Sequence, residues 1–129
     1  MAPGDAVHLL SKKLIRCSSA KDKKCIGIVI SQVSAGITQD SFGDPCESNM
    51  TYFIASVGDS RTTINTGAKV CDEGGPVEDG DFLCTSSTPG YLMKQDDDLI
   101  HSYTVAQARE DIIFDEDGKA TGVYVYLLK

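Results

Sequence analysis

The chain has 129 residues and a mass of 13.8 kDa, enough for one domain with a single hydrophobic core. Nineteen acidic against twelve basic residues give a net charge of −7, which argues against binding nucleic acid through its phosphates. No apolar stretch approaches the ~20 residues of a membrane-spanning helix, so we expect no membrane span. We predict that residues 1–129 form a single β-rich domain.

The first half of the chain predicts short strands, because its glycines and prolines favour turns over long helices. The predicted strands are an apolar run ending at Leu10, then Leu14–Cys17, Cys25–Ile30, Thr51–Val57 and the short Thr62–Asn65. Ser18–Lys24 is predicted to be a polar loop. Val33–Asn49 is predicted to be an irregular surface excursion, and such loops often carry function.

The stretch Val77–Lys94 is the most informative part of the sequence. Gly80 and Asp81 belong to a turn that opens into the apolar run Phe82–Cys84. Pro89 followed by Gly90 is the composition of a type II turn, because only glycine adopts a positive φ there at little cost. Two short β-runs on either side of such a turn predict a hairpin, in which all four of these residues are structural.

The last third of the chain predicts at least one further hairpin. Leu99–Ala108 mixes apolar and polar residues without a clear period, so it could be a strand or one helical turn. Asp115–Gly118 is a strong turn sequence between Ile112–Phe114 and Val123–Leu128. We predict that these two runs pair across a longer hairpin loop.

The two halves of the chain share a pattern that suggests an internal repeat of two β-arms. Each arm has a Gly-Asp-apolar opening, a second short apolar run, a charged loop and a third apolar run. The first arm contains Gly4–Val7, Leu14-Ile15 and Ile26–Val29, and the second contains Gly80–Leu83, Leu92-Met93 and Thr104–Ala106. We predict an all-β fold, a compact barrel or sandwich of about eight to ten short strands.

These motifs resemble the C-terminal domain that recurs in tail-fibre, tail-spike and appendage proteins of bacteriophages and some large DNA viruses. The specific part is the block Gly80-Asp81-Phe82-Leu83-Cys84-Thr85-Ser86-Ser87-Thr88-Pro89-Gly90-Tyr91-Leu92-Met93-Lys94. Gly4-Asp5-Ala6-Val7, Ile26-Gly27-Ile28-Val29 and Thr104-Val105-Ala106-Gln107-Ala108 are also similar to that family's pattern. The resemblance covers most of the chain, with Val33–Asn49 as the main stretch outside it.

The resemblance implies a structural module of the virion, at the distal end of an elongated and trimeric protein. A host-surface receptor or another virion protein is the further partner that it implies. Some relatives are intramolecular chaperones that promote trimerisation and then cleave themselves off, using an acidic and aromatic segment upstream. No equivalent segment precedes Gly4, so we expect no autoproteolysis by this chain alone. An intramolecular chaperone that cleaves itself within a longer parent protein is the second hypothesis. A monomeric module that binds glycans or a receptor through Val33–Asn49 is the third.

Tyr124, Tyr126 and Leu128 are a candidate subunit interface on the last predicted strand. Alternate residues of a strand share a face, and this strand is apolar on both faces, so both faces are expected to be covered. One cover could be a neighbouring subunit. The alternative is the core of a β-sandwich, with the tyrosine hydroxyls at its rim.

The sequence gives little support to a catalytic, metal or cofactor site. The aspartates of Asp96–Asp98 and Asp115–Gly118 lack the spacing of an EF-hand, and turn chemistry or solvation accounts for them. Cys84 and His101 could in principle meet as nucleophile and base, but nothing in their spacing requires it. No phosphate-binding glycine loop is present. We therefore predict a non-enzymatic protein without cofactor or metal.

Three smaller features leave alternatives open. The five cysteines include no C-x-x-C pair, and their odd number favours free thiols over a disulfide framework. Asn49 begins an N-glycosylation sequon, which matters only in a eukaryotic secretory route. Basic residues are concentrated in the first quarter of the chain. This asymmetry could assist self-association of opposite faces, or it could be a solvated surface.

Overall fold

The computed structural model describes residues 2–11, 13–34, 38–39, 45–46, 50–56, 68–121, 124 and 126–128. Ten β-strands lie in these ranges: β1 Ala6–Leu10, β2 Lys13–Arg16, β3 Gly27–Ser34, β4 Thr38–Gln39, β5 Pro45–Cys46, β6 Met50–Ser56, β7 Phe82–Thr85, β8 Leu92–Lys94, β9 Thr104–Ala108 and β10 Tyr126–Leu128. The all-β prediction is therefore confirmed. In the described part of the chain, no helix is long and apolar enough to cross a membrane.

The strands form two four-stranded antiparallel sheets and a small hairpin. The first sheet has the order β2-β1-β3-β6, and the second has the order β8-β7-β9-β10. Side chains from both sheets meet in one apolar core, which includes Ile28, Leu83, Val105, Tyr126 and Leu128. Of the two predicted architectures, the arrangement is that of a sandwich and not of a closed barrel.

The two sheets repeat one another strand for strand. In the first sheet β1 lies between β2 and β3, and β6 pairs with β3. In the second sheet β7 lies between β8 and β9, and β10 pairs with β9. The Gly4 amide donates to the Val29 carbonyl at 2.7 Å, and the Gly80 amide donates to the Ala108 carbonyl at the same distance. Both glycines have nearly the same positive φ, 96° and 97°. These equivalent contacts agree with the two-arm repeat predicted from the Gly-Asp motifs.

Hydrogen bonds join the two arms near Gly90. The Ala6 amide donates to the Gly90 carbonyl at 2.9 Å, and the Gly90 amide donates to the Cys17 carbonyl at 2.8 Å. A segment before the second arm runs alongside, where the Lys69 amide donates to the Gly4 carbonyl at 3.0 Å. The turn of the second arm is thereby built into the backbone network of the first.

Several predicted elements differ from those in the structure. Val123–Leu128 was predicted to pair with Ile112–Phe114, but β10 pairs with β9, with Tyr126 opposite Ala108. The Asp115–Gly118 turn is closed by a single bridge between Phe114 and Ala120. The alternatives for Leu99–Ala108 are resolved in favour of a strand, β9.

Two further predictions concern stretches that are described only in part. The predicted excursion Val33–Asn49 contains the end of β3 and the two-residue strands β4 and β5. Asn49 and the predicted strand Thr62–Asn65 lie outside the described residues.

Candidate functional site

The Pro89-Gly90 turn has the geometry that its sequence predicts. Gly90 has a φ of 79°, and the Tyr91 amide donates to the Thr88 carbonyl at 3.0 Å across the turn. The buried Ser86 hydroxyl donates to the Tyr91 carbonyl at 2.7 Å. Positive φ at the third residue with a hydrogen bond across four residues defines the type II turn.

The Gly90 backbone lies directly against the carboxylate of Asp5. A Cβ atom at position 90 would overlap an Asp5 carboxylate oxygen, so a side chain is excluded there by space as well as by φ. The Asp5 side chain is only 1% exposed. The two motifs identified in the sequence, Gly-Asp and Pro-Gly, therefore meet at one buried junction.

Two cations and a backbone amide surround the Asp5 carboxylate. Arg16 Nε lies 2.9 Å from one oxygen, and Lys69 Nζ lies 2.8 Å from the other. The Ala2 amide donates to the first oxygen at 2.8 Å. Burial acts to raise the pKa of Asp5, but the Ala2 hydrogen bond and the contacts with Lys69 and Arg16 outweigh it and hold this pKa below its ordinary value.

The equivalent carboxylate of the second arm has a weaker version of this environment. Asp81 accepts a hydrogen bond from the Glu78 amide at 2.8 Å, as Asp5 does from Ala2. Its cation, Lys94, lies 3.6 Å away, and the Asp81 side chain is 18% exposed. The Gly80-Asp81 turn thus makes its contacts within the second arm, whereas Asp5 is a centre of contacts between the arms.

The structure places two of the three candidate interface residues in the core of the single chain. Tyr126 and Leu128 are fully buried among side chains of both sheets. Tyr124 is half-buried, and its hydroxyl accepts a hydrogen bond from the Ile113 amide at 3.1 Å. This agrees with the alternative of a sandwich core, except that the Tyr126 hydroxyl is buried and does not lie at the rim. It leaves no exposed surface on Tyr126 or Leu128 for a neighbouring subunit.

The Tyr126 hydroxyl is buried without a hydrogen-bond partner among the described residues, and this gives a testable prediction. Because removing an unpaired buried polar group is not destabilising, Tyr126→Phe should leave the free energy of unfolding unchanged or raise it by up to about 1 kcal/mol. Tyr124→Phe is the matched control and should lose about 0.5–1.5 kcal/mol with its hydrogen bond. Urea denaturation measures both. If Tyr126→Phe lowers the free energy of unfolding by more than about 1 kcal/mol, the Tyr126 hydroxyl has a hydrogen-bond partner and the prediction is wrong.

Cys84 and His101 both lie near Tyr103, but each has partners of its own. Cys84 is fully buried beside Cys71 and Met93, and burial raises the pKa of its thiol to about 11, so the thiol is protonated near neutral pH. His101 stacks on Tyr103, with ring centroids 4.7 Å apart, and its Nε2 lies 2.8 Å from Asp97. These contacts give no activated nucleophile at Cys84.

The carboxylates of the acidic turns have partners within the chain. Asp97 accepts a hydrogen bond from the Gln95 side chain at 2.7 Å, and Asp96 pairs with Lys21 at 2.9 Å. Asp115 accepts from the amides of Asp117 and Lys119, at 2.9 and 3.0 Å. The Asp115 contacts are those of a side chain that closes its own turn.

One group of side chains with metal-ligand chemistry is present among the described residues, and the sequence analysis did not find it. It consists of His8, Cys17 and Asp22 in the first arm. The three residues are separated by nine and five positions, which match no short metal-binding motif. Only the pairing of β1 with β2 and the return of the following loop bring them together.

Exposed apolar side chains mark the far end of the first arm. Leu9 and Leu10 are 53% and 56% exposed at the end of β1. Beside them, Leu14, Ile15 and Arg16 of β2 line a shallow depression together with Ser18 and Pro89. Other exposed apolar residues, Leu99, Ile100 and Ile113, lie in turns or irregular segments.

Comparisons of the chain with protein-family models, curated proteins and solved structures gave no match.

Proposed function

We propose that the chain is a structural module of a virion, at the distal end of a fibre or appendage, and that it associates with two copies of itself. The similarity of the Gly80–Lys94 block to viral fibre domains supports this role. The two-arm fold supports it further, because the Pro89-Gly90 turn of that block packs against the ion-paired Asp5 of the first arm.

The proposed association rests on the exposed apolar side chains at the end of the β1–β2 hairpin. Leu9 and Leu10 are adjacent on a strand and so point to opposite faces, yet both are more than half exposed. The hairpin end therefore presents apolar side chains on both faces. In addition, β2 lies at the edge of its sheet, and no other strand among the described residues pairs with its outer side.

This surface suits association of identical copies better than contact with water. Leu14, opposite Leu9 in the hairpin, is half-buried and extends the apolar surface across β2. Contiguous exposed apolar surface on a small domain marks an interaction site. Hairpins of this kind grouped around a threefold axis would bury the leucines of each copy against those of its neighbours.

Light scattering on a size-exclusion column at several concentrations tests the proposal. We expect a mass of about three chains, each chain being 13.8 kDa. Leu9→Asp combined with Leu10→Asp should weaken association at least about a hundredfold, because burial of each leucine contributes about 1.5–3 kcal/mol. Leu99→Asp combined with Ile100→Asp is the matched control. It changes two exposed apolar side chains outside the hairpin and should leave the mass in solution unchanged.

Two outcomes would contradict the proposal. One is a monomer of the unaltered chain at every concentration, and the other is a trimer that survives both leucine substitutions. Far-ultraviolet circular dichroism of each variant shows whether the fold is retained.

A further inference from the structure

Three side chains from separate segments of the first arm converge on one point. His8 Nδ1, Cys17 Sγ and a carboxylate oxygen of Asp22 all lie within 4.8 Å of one another. His8 and Asp22 are in direct contact, with Nδ1 and Oδ2 2.7 Å apart. Cys17 is fully buried, and the side chains of His8 and Asp22 are 19% and 11% exposed. The group lies close below the surface, where an ion can enter.

A second thiol lies beside this group. Cys25 is a close neighbour of Cys17, near enough that each thiol shifts the pKa of the other. Cys25 is half-buried and has a further contact with the Gly27 carbonyl, 3.7 Å from its sulfur. The arm therefore offers four donors, namely one imidazole nitrogen, one carboxylate oxygen and two sulfurs.

The backbone of the group is held by contacts with both sheets. His8 is paired with Ile15 in the β1–β2 ladder, and the Cys17 amide donates to the Ala6 carbonyl at 2.8 Å. The loop that carries Asp22 is fastened to the second arm by the buried Thr85. Its hydroxyl accepts from the Asp22 amide at 2.7 Å and donates to the Ser19 carbonyl at 2.8 Å. The donors are therefore positioned before any ligand binds.

We propose that His8, Cys17, Asp22 and Cys25 form a zinc-binding site, with Cys25 as the fourth ligand. Nitrogen, oxygen and thiolate sulfur are the ligands that tetrahedral zinc accepts, whereas the hard cations Ca²⁺ and Mg²⁺ take oxygen alone. With bond lengths of about 2.0–2.3 Å, neighbouring donors stand about 3.3–3.8 Å apart around zinc. To reach this spacing, the 2.7 Å contact between His8 and Asp22 has to open by about half an ångström, and donor pairs up to 4.8 Å apart have to close by about 1 Å.

The charge of the surroundings fits the proposed ion. Two thiolates and one carboxylate leave the occupied site with a net charge of −1. Basic residues are concentrated in this arm, with Lys21, Lys23 and Lys24 on the same loop as Asp22. Zinc would fasten this loop to the β1–β2 hairpin, so the site is structural and independent of the association proposed above.

Titration of the full chain with Zn²⁺ and Co²⁺ under reducing conditions tests the site. We expect one ion per chain. The Co²⁺ form should show the visible bands of tetrahedral cobalt and a thiolate-to-metal charge-transfer band, both lost on addition of Zn²⁺. His8→Gln and Cys25→Ser change half-buried side chains that the fold tolerates, and each should weaken Zn²⁺ binding about 10- to 100-fold or more. Cys25→Ser should also weaken the charge-transfer band.

His101→Gln is the matched control, because His101 forms a similar 2.8 Å contact with Asp97. It should leave Zn²⁺ affinity unchanged. The proposal fails if the reduced chain binds no Zn²⁺, or if binding is the same in His8→Gln and Cys25→Ser as in the unaltered chain. It also fails if Cys17 and Cys25 are found as a disulfide that persists in the reducing buffer, since that bond consumes both sulfurs.

Discussion

Replacing Gly90 by alanine should destabilise the protein by about 3–5 kcal/mol, a large effect for a single methyl group. Two costs add at this position. An L-residue in the left-handed region costs about 1–2 kcal/mol, and Gly90 has a φ of 79°. The new Cβ atom would also displace the Asp5 carboxylate from its cations, which disturbs a buried ion pair.

Gly80→Ala separates these two costs. Gly80 also has a positive φ, 97°, but nothing lies within 4 Å of a Cβ atom built there. It should therefore lose only the backbone contribution of about 1–2 kcal/mol. Chemical denaturation of both variants measures the difference. If Gly80→Ala and Gly90→Ala lose the same stability, the junction between Gly90 and Asp5 contributes nothing beyond the turn itself.

Asp5→Asn should cost about 2–4 kcal/mol of unfolding free energy, because it removes the charge shared by two cations and keeps the size of the side chain. The amide oxygen can still accept from the Ala2 amide, so the loss reports on Arg16 and Lys69. These cations are 47% and 31% exposed and can regain water, which is why the expected loss is below that of a fully buried pair.

Asp81→Asn is the control supplied by the repeat. It makes the same change at the equivalent position of the second arm, where the carboxylate is more exposed and its cation is 3.6 Å away. Exposed ion pairs contribute little, so the expected loss is below about 1 kcal/mol. Equal losses at positions 5 and 81 would show that the buried junction has no special role.

The pH dependence of the Asp5 effect has a defined sign. The pKa of Asp5 is lowered in the folded protein, so its contribution to stability is complete above the unfolded value of about 3.9. That contribution decreases as the pH falls through the lower folded pKa. The stability difference between the unaltered chain and Asp5→Asn should therefore be constant from pH 5 to 7 and shrink below about pH 4. A difference that grows on acidification would contradict the ion pairing.

Local turn chemistry explains what the sequence could predict. Gly4, Gly80 and Gly90 each occupy a conformation that few other residues adopt, so the turns and the strands between them follow from short stretches of sequence. Short apolar runs then give β1, β2, β6, β7 and β8 to within two residues, whereas the bounds of β3, β9 and β10 differ by more. The internal repeat could be predicted for the same reason, because a Gly-Asp pair precedes the first strand of each arm.

Contacts between distant residues explain what the sequence could not predict. Lys69 meets Asp5 across 64 positions, and no local pattern links the two. The predicted partner of the last strand was wrong because sheet order, not turn sequence, places β10 beside β9. His8, Cys17 and Asp22 were missed because metal-binding motifs are recognised by short spacings, whereas here a hairpin and a loop bring the donors together.

The hydrogen bonds that close the two arms on each other also set the order of events when the chain is synthesised. The Ala6 amide finds its partner at Gly90, 84 residues later in the chain. At a translation rate of about 5–20 residues per second, the first arm waits on the order of 4–17 s for that partner. During this interval β1–β3 can pair, but Asp5 has neither Lys69 beside it nor the Pro-Gly turn over it. Each chain therefore completes its fold only after most of it has left the ribosome.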